Sequence, residues 1–135
     1  LFRSKTIFVK SAAQDLGLDN INVLNGRAES LSKNEDYYER YDFITARAVG
    51  SLSVIMEVGA QMLKVGGSFL MYRSFSYSDE IVASEKALKK LGLAVKEVVP
   101  YRIREAERAV VRIEKVRHTE LIYPREFARI RKHPL

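Results

Sequence analysis

The sequence predicts an α/β fold, and three observations support it. Helix-spaced and strand-like segments alternate along most of the chain. A glycine pair, Gly66-Gly67, turns one helical run into an apolar strand. Two further strand-like runs then close the pattern as an antiparallel pair, which a plain doubly wound fold lacks.

Residues 3–16 read as an amphipathic helix, with Ile7, Phe8, Ala12 and Leu16 roughly on one face. Gly17 serves as its C-cap and Leu18 folds back onto the last turn. Ile21 and Asn22–Asn25 form a short strand ending at Gly26. A brief helix over 27–33 and a polar loop over 34–40 follow. Phe43, Ile44 and Thr45 suit a buried strand over Asp42–Arg47. Leu52, Ile55, Met56, Gly59 and Leu63 return to helical spacing over 51–63. Gly66-Gly67 leads into a strand at Ser68–Tyr72, the glycines meeting a need for positive φ or close packing. One helix runs from Ser78 to Gly92, with Ser78 as cap and Asp79 and Glu80 at the positive end of its dipole. Strands over 94–103 and 108–116 complete the pattern.

At 135 residues the chain is one domain or part of one, and 47% hydrophobic with 30% charged residues is ordinary for a globular protein. It has no cysteine, which excludes a disulfide framework, a thiolate metal site and a cysteine nucleophile. No apolar run has the length of a membrane span and no signal peptide is visible, so a cytoplasmic location is the expectation. Net charge is +6, unevenly placed: residues 101–135 hold 10 Lys/Arg against 5 Asp/Glu, residues 1–100 hold 13 against 12. A basic end on a near-neutral body suits an anionic partner such as nucleic acid, or simply a solvated basic tail.

Four strings, in order, carry a family resemblance: Gly26-Arg27-Ala28-Glu29, Tyr41–Val49 (YDFITARAV), Leu63–Leu70 (LKVGGSFL) and Tyr123–Leu135 (YPREFARIRKHPL). Together they resemble the bacterial small-subunit ribosomal RNA guanine-N7 methyltransferases, the glucose-inhibited division protein B family, along nearly the whole chain. The resemblance implies a Rossmann-like class I S-adenosylmethionine-dependent methyltransferase sheet with a C-terminal antiparallel hairpin. The family's glycine-rich first loop would precede Leu1, so the expectation is an N-terminally truncated chain with its first strands missing. Residues 1–118 would be the C-terminal part of the methyltransferase domain and 119–135 a basic C-terminal tail. Without those first strands, strand 21–25 would either pair directly with strand 42–47 or leave an exposed edge.

By position alone, Ala28-Glu29 follows a strand end, where open α/β sheets hold ligands, or Glu29 merely favours a helix N-terminus. The resemblance assigns both residues to S-adenosylmethionine binding. Arg47, set between Ala46 and Ala48 at a strand end, is either a surface charge or, as the resemblance implies, a cofactor contact that pairs with a carboxylate or with RNA phosphate. Arg73-Ser74 departs from the Lys-Gly usual at this place, which bears on the substrate side. Arg73, Arg108, Arg125 and Lys132 are the RNA-side candidates. Tyr123 and Phe127 could stack on bases among the tail's cations, or pin the tail to the body.

Guanine N7 carries an in-plane lone pair, so its methylation needs no general base. Only His118 and His133 are present, and no acid–base pair marks the crevice, which suits that chemistry and leaves the catalytic residues unassigned. The Ala-Arg-Ala-Val string after strand 42–47 is not the Asp/Asn-Pro-Pro-aromatic string of amino-group methyltransferases. No metal-ligand cluster is apparent. The expected function is methyl transfer from S-adenosylmethionine to guanine N7 of 16S ribosomal RNA, with ribosomal RNA or the small ribosomal subunit as partner. The alternatives are a non-catalytic RNA-binding fragment or decayed product, and a methyltransferase with another substrate.

Overall fold

Four strands form one sheet, in the order β1-β2-β4-β3. The structure is a computed structural model that describes residues 2–135. β1 (Tyr41–Arg47) runs parallel to β2 (Leu63–Ser74), and the antiparallel pair β3 (Leu93–Ile103) and β4 (Ala106–Lys115) joins β2 through β4. This is the α/β class the sequence predicts, with the closing hairpin in place.

Alternation along each strand decides which face is covered. Phe69 and Met71 of β2, with Ala109, Val111 and Ile113 of β4, point to one face and are buried. Over that face lie α3 (Leu52–Gly59), which contributes Leu52, Ile55 and Met56, and α5 (Glu85–Leu91), which contributes Ala87 and Leu91. Ser51 caps α3 by accepting from the Val54 N–H. Gly92, at φ +73, ends α5 in the left-handed conformation and lets Leu93 enter the core.

α1 (Phe2–Asp15) closes with paired hydrogen bonds, Leu18 N–H to Ala13 O at 2.9 Å and Gly17 N–H to Gln14 O at 3.0 Å, so the predicted cap forms. Its apolar face is uncovered, however, with Ile7, Phe8 and Leu16 all exposed.

Four elements differ from the sequence reading. No strand forms at 21–25: the segment enters no ladder, although the outer edge of β1 is free. β2 begins at Leu63, which the helical spacing had placed in the preceding helix, and α3 stops at Gly59. The glycines sit inside β2, where the register with β1 jumps from Tyr41↔Leu63 to Phe43↔Ser68. Gly66 takes φ +89, while a Cβ on Gly67 would lie 2.8 Å from the Asp42 carbonyl oxygen. The expected long helix breaks into α4 (Tyr77–Ala83) and α5 at Ser84, whose hydroxyl donates to the Glu80 carbonyl at 2.7 Å.

Residues 119–135 are built into the body. Thr119 and Pro124 are buried, Ile130 of α6 (Phe127–Lys132) is 0% exposed, and Leu135 joins the core cluster. Tyr123 packs against that same cluster.

Candidate functional site

Strand direction gathers the candidate residues. β1 and β2 are parallel, so Arg47 and Ser74 finish at one end of the sheet. β4 runs the other way, so its opening residues and the β3–β4 tip stand at that same end. The register places Arg47 opposite Tyr72, and Arg108 opposite both Ser74 and Tyr101. This is the carboxyl end of the parallel strands, the side on which open α/β sheets hold ligands.

Of the cations there, Arg47 and Arg108 are exposed and, among the described residues, enter no ion pair or side-chain hydrogen bond. Beyond Arg47, Ala48 takes φ +54 and Gly50 φ +150, so the chain turns sharply off the strand before Ser51 caps α3. Arg102 is paired with Glu107 at 2.8 Å.

Arg73 differs. Its guanidinium is held by the Glu80 carboxylate of α4, its side chain is 11% exposed, and its buried Nε has no acceptor. Glu80 also accepts from the Ser76 hydroxyl at 3.4 Å, which lies 3.3 Å from that of Ser74. As an RNA-side candidate Arg73 therefore needs correction, because its charge is neutralised inside the protein and ties α4 to the end of β2.

Ala28 and Glu29 open α2 (Ala28–Leu31), a single turn whose first N–H groups lack intrahelical acceptors. The Glu29 carboxylate, 15% exposed, lies 3.5 Å from the guanidinium of Arg27, which is 76% exposed. Just after α2, the Ser32 hydroxyl donates to the Val58 carbonyl, fixing this turn beside α3. No ion pair joins Glu29 to Arg47. Two cavities flank the region, and neither is lined by Ala28, Glu29 or Arg47. One, about 660 Å³, lies between α1, residues 18–24, Tyr37 and Tyr41; the other, about 320 Å³, between residues 32–38 and 121–124.

The tail candidates separate. Arg125 grips Glu57 of α3 through both carboxylate oxygens at 2.7 Å, its backbone N–H adds a third bond at 3.1 Å, and Nη2 donates to the His133 carbonyl at 3.0 Å. Hydrogen bonding to Glu57, working against burial, raises the guanidinium pKa further. Arg125 is thus a clamp between tail and body, which corrects its reading as a free phosphate ligand. Lys132 is exposed and unpaired on α6, with Arg129 and Arg131 beside it.

The sequence reading missed four anchors. Glu57 is fully buried, and Gln61 donates from Nε2 to the carbonyls of Glu120 at 2.8 Å and Tyr123 at 3.0 Å. Lys115, also fully buried, donates to the carbonyls of Ala60 at 2.8 Å and Leu63 at 2.9 Å. It lies 3.0 Å from Glu39, whose same oxygen is 2.7 Å from His118 Nδ1. A lone acid in an otherwise apolar helix, LSVIMEVG, was the available signal for Glu57. Among the described residues no three of His, Cys, Asp and Glu gather as metal ligands.

A family model described as GidB, rRNA small subunit methyltransferase G, matches residues 3–111. The chain is 34% identical over 131 residues to Ribosomal RNA small subunit methyltransferase G of Fervidobacterium nodosum, covering 97% of this chain and 62% of that protein. Its identity to the protein of the same name from Caldicellulosiruptor bescii is 37% over 137 residues, covering 98% and 57% respectively. For the Carboxydothermus hydrogenoformans protein the figures are 32% over 135 residues, 98% and 57%. The chain therefore spans about three-fifths of the length of the curated relatives it matches, between 57% and 62%.

Proposed function

The chain belongs to the rRNA small subunit methyltransferase G family, and from that premise we propose that it carries part of an enzyme that methylates N7 of a guanine in small-subunit ribosomal RNA. The match over residues 3–111 is the observation that carries this reading. S-adenosylmethionine would supply the methyl group, already electrophilic on its sulfonium. Arg47 fits the carboxylate end of that cofactor, since its guanidinium is exposed, unpaired and at a strand terminus. The first-turn N–H groups at Ala28 and Glu29, with the Glu29 carboxylate, fit its polar ring and hydroxyl groups. Arg108 and Lys132 remain the RNA-side residues of this reading. The nucleophilic nitrogen needs no proton removed, so these residues act by binding and orientation. No described helix is long and apolar enough to cross a membrane, and we place the protein's work in the cytoplasm.

Thermal melting with and without excess S-adenosylmethionine tests the proposal. At a hundredfold excess over Kd a ligand stabilises the state it binds by about 2.7 kcal/mol, a rise of several degrees. Arg47→Ala is expected to abolish the rise while leaving the melt without cofactor unchanged. An unshifted melt for the unaltered chain would remove the cofactor assignment.

A second reading is favoured by one observation: neither of the two cavities described above is lined by Ala28, Glu29 or Arg47. It is RNA binding without methyl transfer. It expects salt-sensitive binding of RNA and no response to S-adenosylmethionine.

A further inference from the structure

Phe75 occupies the turn between β2 and α4 and is 76% exposed, at the sheet end where the unpaired arginines stand. We propose that Phe75 is a stacking platform for an unpaired base of the RNA substrate, with Arg108 receiving a flanking phosphate. The inference rests on the RNA reading above and adds to it a residue that recognises the base.

Three observations support it. First, the outward pose is built in. Ser74 and Ser76, on either side of Phe75, turn inward so that their hydroxyls lie 3.3 Å apart, and Ser76 continues to Glu80. Glu80 in turn holds Arg73, and its backbone N–H bonds the Ser76 carbonyl at 3.1 Å. The turn is thus fixed on both sides while the ring between is left to solvent, a low-entropy arrangement for a contact residue.

Second, an unpaired cation stands beside the ring on the neighbouring strand. Arg108 faces Ser74, one residue before Phe75. At about 4.8 Å between strands and 3.3 Å per residue, its backbone lies roughly 6 Å from that of Phe75. An arginine side chain reaches across that gap.

Third, the chemistry of the occupant follows from that company. An aromatic face beside an unpaired guanidinium suits a nucleotide, whose base stacks while its phosphate pairs. A purely apolar partner would leave Arg108 desolvated without counter-charge.

The chain contains no tryptophan, so Phe75→Trp installs a single reporter. The probes are a single-stranded, guanine-containing oligoribonucleotide and inorganic tripolyphosphate. The expected result is saturable quenching by the oligonucleotide and none by tripolyphosphate. Phe75→Leu, which keeps apolarity but loses the ring face, is expected to bind the oligonucleotide about tenfold more weakly, with an unchanged melt. Equal quenching by both probes, unaltered binding by Phe75→Leu, or no oligonucleotide binding at all would overturn the inference. A cofactor-induced melting shift without quenching would retain the methyl-transfer reading and lose this one. Quenching without a shift would do the reverse.

Discussion

Lys115 exposes no side-chain surface, yet it carries a charge and ties three segments together: the end of β4, the turn after α3 and the loop at Glu39. Burial pushes its ammonium pKa below the ordinary 10.5, and Glu39 partly restores it. Burial pulls Glu39 upward, but hydrogen bonds from Lys115 and His118 outweigh it and hold the carboxyl below its ordinary 4.5. Unfolded Glu39 therefore binds more protons than folded Glu39 between the lowered value and about 4.5, so stability rises with pH across that window. Its contribution is complete above that range and is lost as pH falls through the folded value. Urea unfolding between neutral and acid pH is expected to show this loss, and Glu39→Gln to flatten it. Glu57→Ala is expected to cost about 3 kcal/mol by the same measurement, because it strands the Arg125 guanidinium against an apolar helix. That Glu57 needed a partner was legible in the run LSVIMEVG. Which partner was not, since Arg125 is 68 residues away and only the folded tail brings it there.

At the scale of elements, local signals located the turns better than the lengths. The caps at Gly17 and Gly92 formed as read, because a left-handed glycine after an apolar period is a property of a few adjacent residues. Segment 21–25 stays out of the sheet although β1 keeps a free edge, because pairing depends on where the segment is brought in space, which no local pattern supplies. The glycine pair shows two constraints side by side. Gly66 has open space but positive φ, whereas a Cβ on Gly67 would meet the carbonyls of Asp42 and Lys64 at 2.8 and 3.0 Å. Gly67→Ala is therefore expected to cost about 2 kcal/mol, since backbone rather than a flexible side chain must yield. A fall in melting temperature of several degrees would check this. In the candidate site, Arg47 and Arg108 were readable as strand-end cations. The capture of Arg73 by Glu80 was not, because it depends on how α4 folds back over β2.

As a whole molecule, the fold is one sheet with helices packed on a single face, and β1 keeps an unpaired edge carrying Phe43 at 63% exposure. Such an edge templates association. Light scattering against concentration is expected to rise for the unaltered chain and to fall for Phe43→Lys, without loss of melting temperature. The class and closing hairpin were legible from alternation alone; docking of residues 119–135 was legible only as one of two readings of Tyr123 and Phe127, and the roles of Ile130 and Leu135, which are buried, were not. The Glu57–Arg125 clamp also sets a clock. During synthesis Glu57 is made 68 residues before Arg125, and at about 5–20 residues per second that is roughly 3 to 14 seconds. Throughout that interval α3 bears an acid whose partner has not yet been made. Burial of Glu57 under the finished tail is therefore expected to be a late event, completed only once the arginine is translated.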